Sequence, residues 1–174
     1  MRIYRERIPT IARGIVEALL SGELIEFEAA SREEVELDCA SVLSEYRRTD
    51  WELTEKARDL VSLQGLDYSH THKIKARLAS DKKFSIGENA IEWLVSQTLE
   101  ILLQSSHVEE IFGDDNDLRK AIAPVLRKEL LVGSDLDQQV KRRIKNLQEG
   151  TSDYDVEYQK TLEKIRISRG MSND

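Results

Sequence analysis

The apolar spacing of one half of this chain recurs in the other half, and no other feature limits the fold as strongly. The clearest stretch runs from Ile91 to Phe112. Its apolar residues fall at Ile91, Leu94, Val95, Leu99, Leu102 and Leu103, with the methyl group of Thr98 on the same line. That i, i+3, i+4, i+7 series marks an amphipathic helix. Trp93 and Ile101 widen the stripe, which predicts a helix buried on more than one side. Glu92, Gln97, Glu100 and Gln104 interrupt it, so it falls short of the roughly 20 mainly apolar residues of a membrane span.

A shift of 83 positions carries Ile8 onto Ile91, Ile11 onto Leu94, Val16 onto Leu99, and Leu19-Leu20 onto Leu102-Leu103. Without a gap, Val35 then meets Leu118, Cys39 meets Ile122, and Val42-Leu43 meets Val125-Leu126. Leu53, Ala57 and Val61 meet Leu136, Val140 and Ile144. After a short insertion, Asp67-Tyr68 meets Asp153-Tyr154. Identities are few, but three helical patterns stay in phase, which predicts an internal duplication. The expected units are residues 1–80 and 88–174, joined by a linker at 81–87.

Composition favours helices over a sheet protein. Charged residues make up 34% of the 174 residues and aromatics 6%, with two prolines and eight glycines. Hydrophobic residues at 40% suffice for a core and argue against disorder. A net charge of −7 argues against a general binder of nucleic acid or of anionic membrane. The single cysteine, Cys39, excludes an internal disulfide. It lies on an apolar stripe and reads as a small buried hydrophobe rather than a reactive thiol. The N-terminus lacks an apolar signal core and no transmembrane run exists, so a cytoplasmic protein without membrane association is expected.

Local signals divide the chain further. A basic lead, residues 1–7, precedes a helix with Pro9 in its first turn, running to Ser21 and capped by Gly22. Leu24, Ile25 and Phe27 pack back as a short segment. Ser31-x-x-Glu34 has the form of a capping box and predicts a helix over 31–47. Thr49-x-x-Glu52 has the same form and predicts another, closed by Gly65. A fourth, more polar helix spans 68–80. The linker pins Phe84 and Ile86 to the surface. The second unit repeats the plan with helices at 88–105, 117–131, from Ser134 to about Gly150, and 153–167. Pro124 falls inside the second of these and predicts a kink. Residues 168–174 read as a frayed tail. The expected fold class is all-α, two pseudo-repeated helical units of about three core helices plus one peripheral helix each.

Two stretches carry a family resemblance. MRIYRERIPTIARGIVEALL at the start, with Gly65-Leu-Asp-Tyr68, resembles the bacterial domain-of-unknown-function family number 507. HVEEIFGDDNDLRKAIAPVLRKEL, from His107 to Leu130, is similar to that family's second half. The resemblance covers nearly the whole chain, and its motifs are capping boxes and core stripes rather than chemistry. It implies a small bacterial helical protein and brings no functional residue with it.

Chemical motifs are scarce. His70-Thr-His72 places two imidazoles about 200° apart on a helix, and no cysteine or third histidine lies near, so no metal site is expected. Gly113-Asp-Asp-Asn-Asp117 invites a calcium reading, but Leu118 occupies the third alternate ligand position. A helix N-cap with acids complementing the dipole explains that cluster. No phosphate loop or nucleophile elbow is present, and no apolar context marks a carboxylate pair as acid and base. No catalysis and no cofactor are therefore expected.

Charge patterning is the most informative feature left. Residues 23–38 hold seven acids and one base. His70, Lys73, Lys75, Arg77, Lys82 and Lys83 form a basic stretch, and Lys141, Arg142, Arg143 and Lys145 a second one. His70, Lys73 and Arg77 share one helix flank. These ten residues are the candidate interaction surface, against the plainer reading of solvated helix faces. Tyr68 and Tyr154 could stack on bases, but at matched positions they read as core residues that start a helix. The expected role is a non-catalytic interaction or scaffold protein with a protein partner. The alternative is an RNA- or ribosome-associated protein using the basic helix at 70–83, with salt-dependent affinity.

Overall fold

A computed structural model describes residues 3–168. Residues 1 and 2 of the basic lead and 169–174 of the expected tail lie outside the described residues. Six α-helices are present among them: α1 (Ile8–Ser21), α2 (Arg32–Leu63), α3 (Thr71–Asp81), α4 (Ala90–Gln104), α5 (Asp115–Arg143) and α6 (Ser152–Ser168). The fold is all-α apart from two paired dipeptides, β1 (Ile25–Glu26) and β2 (Glu110–Ile111). These run antiparallel with Ile25 opposite Ile111 and Glu26 opposite Glu110.

Helices expected as separate pairs are fused. Thr49-x-x-Glu52 lies inside α2, where Thr49 Oγ1 donates to Glu45 Oε1 at 3.4 Å instead of capping. Ser134-x-x-Asp137 likewise lies inside α5. The reason is phase. Tyr46 and Leu53 are both buried and seven residues apart, close to two helical turns, so the apolar face runs straight through the capping signature. Leu126, Leu130, Gly133, Leu136 and Val140 do the same in α5. Burial of a continuous stripe outweighs a local signal worth about 1 kcal/mol. Pro124 sits exposed within α5, and the helix continues past it to Arg143.

Other local expectations divide. Ser31 flanks α2 at its start but makes no side-chain capping bond; Glu33 and Glu34 complement the dipole there. Asp114 does cap α5, accepting from Asp117 N–H at 2.8 Å. Gly65, with φ +61°, closes α2 in a Schellman turn, Leu66 N–H donating to Val61 O at 3.0 Å. At the end of α1 the left-handed residue is Glu23, φ 53°, rather than Gly22. Residues 68–70 form a 3-10 turn, so α3 begins at Thr71 and not at Tyr68.

The main core draws on both halves of the sequence. α1 packs on α2 and on α5, and α4 packs on α2 and on α5. Ile11, Ile15, Leu19, Leu43, Leu94, Leu102, Ile122 and Leu126 are all fully buried in it. Each such side chain contributes on the order of 2 kcal/mol. Gly14 lets α1 approach α5, since a Cβ there would lie 3.1 Å from Val125 Cγ1. The linker is part of the same core: Phe84 is buried between Tyr46 and Trp93, with ring centroids 4.7 and 5.1 Å away. Tyr46 also donates its hydroxyl to Ser85 O at 3.1 Å. Cys39 is buried as expected, and desolvation, with Asp38 and Glu36 nearby, pushes its thiol up to about 12. Leu103 departs from the expected stripe and is exposed.

A second, smaller core lies between the C-terminal part of α5 and α6, built from Leu136, Val140, Ile144, Tyr154, Tyr158, Leu162 and Ile165. The N-terminal segment joins the two cores: Ile3 is buried in the first and Tyr4 in the second. Arg7 pairs with Glu129 of α5. Arg166 of α6 lies over the Tyr4 ring, 5.2 Å from its centroid, and binds Glu6 at 2.5 Å. That hydrogen bond holds the Glu6 carboxyl below its ordinary 4.5.

Two predictions follow from this packing. The folded-state pKa of Glu6 is depressed, so its contribution to stability is full above pH 4.5 and is lost as pH falls through the folded value. Glu6→Gln should therefore lower the urea midpoint at pH 7 and lower it by progressively less as the pH is taken down below 4.5; a loss that stays the same at every pH would refute the ion-pair origin. Thr98 is fully buried on α4 with its hydroxyl unpartnered. Thr98→Val should raise stability by about 1 kcal/mol, because a stranded hydroxyl is exchanged for an isosteric methyl. A drop in thermal midpoint would show that the hydroxyl has a partner.

Candidate functional site

The two long helices, α2 and α5, each carry a further helix. The C-terminal part of α2 carries α3, and the C-terminal part of α5 carries α6. Between these two arms lies an open cleft of about 1050 Å³. Its first wall is one face of α2, with Arg47, Trp51, Thr54, Glu55 and Arg58 spaced one or two turns apart, and then Tyr68, His72 and Lys75. Leu53, Ala57 and Val61 are buried on the other face of α2. The second wall is Ser134, Asp137 and Lys141 of α5 with Tyr154, Asp155 and Tyr158 of α6. Ile3, Tyr46, Asp50, Asp67 and Glu149 also line it.

Three positions of each long helix that line the cleft correspond in the sequence. The shift of 83 carries Trp51, Thr54 and Arg58 onto Ser134, Asp137 and Lys141, and all six line the cleft. Tyr68 and Tyr154 line it as well.

Between described residues, the cleft is crossed at Arg58 and approached at Gly150. Arg58 Nη1 donates to Asp155 Oδ2 at 3.1 Å and Nη2 to Oδ1 at 3.4 Å, a bidentate pair between α2 and α6. Gly150 has φ +96°, and a Cβ placed on it would lie 3.1 Å from the Tyr68 ring. Within the walls, Lys75 binds Asp50 at 2.7 Å, and Lys141 lies 3.3 Å from Asp137 and 3.4 Å from Glu149. Burial alone would lower the Lys141 pKa, but those carboxylates outweigh it and hold the ammonium above its ordinary value. Tyr158 donates to Asp137 at 2.7 Å and lies 3.2 Å from the Tyr4 hydroxyl.

The ten candidate surface residues separate. Lys75 and Lys141 come together as liners of opposite walls, each already facing a carboxylate. His70, Lys73, Arg77, Lys82 and Lys83 are exposed away from the lining. His70 Nδ1 lies 3.1 Å from Asp67 O in the turn before α3. Lys82 and Lys83 end α3, where cations complement the helix dipole, and Lys83 takes the left-handed conformation with φ 54°. Arg142 and Arg143 occupy the exposed last turn of α5, with exposed Lys145 just beyond. Tyr154 is a core residue, as expected, but Tyr68 is 38% exposed at the cleft edge.

Sequence reasoning missed Trp51, Glu55, Arg58 and Asp155. A signal for the first three existed. They lie off the Leu53/Ala57/Val61 stripe, and Trp51 is a large aromatic on a polar face, 63% exposed. Among the described residues, no group of three or more His, Cys, Asp or Glu is arranged to hold a metal ion. No described helix is long and apolar enough to cross a membrane.

Gly150→Ala should cost about 1–3 kcal/mol, since the side chain must adopt a left-handed φ and meets the Tyr68 ring. Gly65→Ala, at φ +61° with open space around it, should cost less. Equal urea-denaturation losses for the two would remove the Tyr68 contact from the account.

A search of curated proteins finds no match to the chain. A family model described as "Protein of unknown function (DUF507)" matches residues 1–171. The chain belongs to that family of proteins of unknown function, DUF507.

Proposed function

We propose that this is a cytoplasmic, non-catalytic protein-interaction module that receives a segment of a partner protein in the cleft between its two arms. The observation that carries the reading is the cleft with Trp51 exposed on its wall. The cleft's volume of about 1050 Å³ lies at the upper end of the roughly 300–1,000 Å³ typical of small-molecule sites, room enough for a peptide segment. Exposed tryptophan is the side chain most enriched among residues that dominate binding energy at interfaces. Charged groups in the walls are matched to one another, as Lys75 with Asp50 and Arg58 with Asp155, an arrangement suited to recognition more than to proton transfer. The internal duplication belongs to the same reading, supported by the matched positions that face each other across the cleft.

RNA or ribosome association is the second reading. What favours it is the exposed flank of α3, where Lys73 and Arg77 stand in water with no ion pair among the described residues. Against it, the cations of the two basic stretches that do reach the cleft are neutralised there.

Affinity capture of the tagged full chain from its own cells separates the two. The first reading expects a protein partner that survives nuclease and is lost with Trp51→Ser, while Lys73→Glu/Arg77→Glu retains it. Capture that vanishes with nuclease, high salt or the α3 double variant, and ignores Trp51, would replace it with the second.

A further inference from the structure

The smaller core and the main core share one helix. Leu130 is the last residue of α5 buried in the main core, and Leu136 is the first buried in the smaller one. Gly133 and Ser134 stand between them. A glycine inside a helix leaves the backbone unusually free, and glycine–serine pairs are a recognised cause of helix bending. We infer that the α5–α6 arm swings as one body about Gly133-Ser134, and that the Arg58–Asp155 pair is the latch that closes it against α2. This device belongs to the fold and goes beyond the interaction reading, because it holds whatever the cleft receives.

The ties on this arm divide by their distance from the pivot. Lys141 reaches Glu149 and Tyr158 reaches Asp137, so α6 folds back along α5. Its last turn therefore lies near Gly133, and its first turn near the free end of α5. At the pivot the N-terminal segment acts as a strap. Tyr4 donates to Gly133 O at 3.5 Å, Arg7 holds Glu129 just before the pivot, and Glu6 holds Arg166 beyond it. A bend at Gly133 moves these groups little. At the free end stand Arg58–Asp155 and the Tyr68 ring against Gly150. The opposite arm lacks this freedom, since Leu53 and Ala79 are buried in the main core.

The latch is suited to release. Arg58 is 25% exposed and Asp155 49%, and ion pairs so placed add little net stability and are screened by salt. Opening strands no charge. Arg58 keeps Glu55 at 2.9 Å on its own helix. Asp155 turns to water in the first turn of α6, where the helix dipole favours an acid. The stretch from Gly133 to Arg143 is about 15 Å of helix. A bend of about 20° at its start carries the end of α5 by about 5 Å. Ionic strength thereby sets how far the cleft stands open.

The test measures distances between paired spin labels in the full chain, by double electron–electron resonance. Labels go on cysteines placed at exposed positions, while buried Cys39 stays unlabelled. Lys73→Cys with Arg142→Cys spans the cleft. Arg142→Cys with Lys164→Cys lies within the moving arm, and Lys73→Cys with Glu100→Cys ties α3 to the main core. Arg58→Met and Asp155→Asn should each lengthen the Lys73–Arg142 distance by about 5 Å and leave the other two pairs unchanged. Molar salt should do the same to the native chain and add nothing in either variant. Glu55→Gln, which removes a neighbour of Arg58 without cutting the crossing pair, should keep the native distances. Thermal melts check that each variant is folded.

A Lys73–Arg142 distance that ignores both variants and salt overturns the latch. Equal lengthening in Glu55→Gln overturns it too, since the crossing pair is then not what holds the arm. A change between Arg142 and Lys164 means that the arm comes apart instead of swinging. A change between Lys73 and Glu100 means that the α2–α3 arm is the one that moves. Either result overturns the pivot at Gly133-Ser134. No partner enters the measurement, so its failure leaves the interaction reading where it stood.

Discussion

The crossed packing of α1 on α5 and α4 on α2 is the constraint on which the rest depends. Each short helix also packs on the long helix that follows it, so α1 and α4 both lie against α2 and α5. Leu43 of α2 and Leu126 of α5 are fully buried in one cluster with Ile15 and Leu94. The boundary at 81–87 is a division of the sequence pattern, and the apolar core runs across it. Even the linker is enclosed, through Phe84 against Tyr46 and Trp93.

Once that core is fixed, the long helices must leave it, and their free ends become arms. α2 has 32 residues and α5 has 29, about 48 and 44 Å of helix, more than a core this size encloses. The arms are supported unequally. The α5–α6 arm has its own small core, closed by Tyr4 and by the Glu6–Arg166 pair. The α2–α3 arm is tied to the main core itself, through Leu53 and Ala79. The cleft is the space the two arms leave, and Arg58–Asp155 with Tyr68 on Gly150 set its width. The recognition role proposed for the cleft requires exposed rings and charge held in place by rigid helices.

Much of the fold was legible in the sequence, because apolar residues at helical spacing report burial directly. Leu94, Val95, Leu99 and Leu102 were read as core and are buried, as are Val35, Cys39, Val42 and Leu43. Asp114 was read as a cap over the calcium alternative, and it caps α5. Helix ends were read less well. Thr49 and Ser134 carry good capping chemistry, but the apolar phase continues across them, and long-range burial overrides a local preference. The β1–β2 contact left no signal, since two residues per strand cannot show alternation. The cleft was not legible in the sequence. Charge runs drew attention to His70, Lys73, Arg77, Lys82, Lys83, Arg142, Arg143 and Lys145, which lie outside the cleft. Only Lys75 and Lys141 reach it. The cleft is set by how two distant helices diverge, and no local pattern records that.

Native-state hydrogen exchange of the full chain tests the shared core most directly. Amides of α1, α4 and the adjoining halves of α2 and α5 should exchange through one common opening, with the same free energy and the same denaturant dependence. α3 and α6 should open earlier. If residues 8–63 and 90–143 instead exchange with two separate free energies, each half holds a core of its own, and the crossed packing that positions the cleft is contradicted.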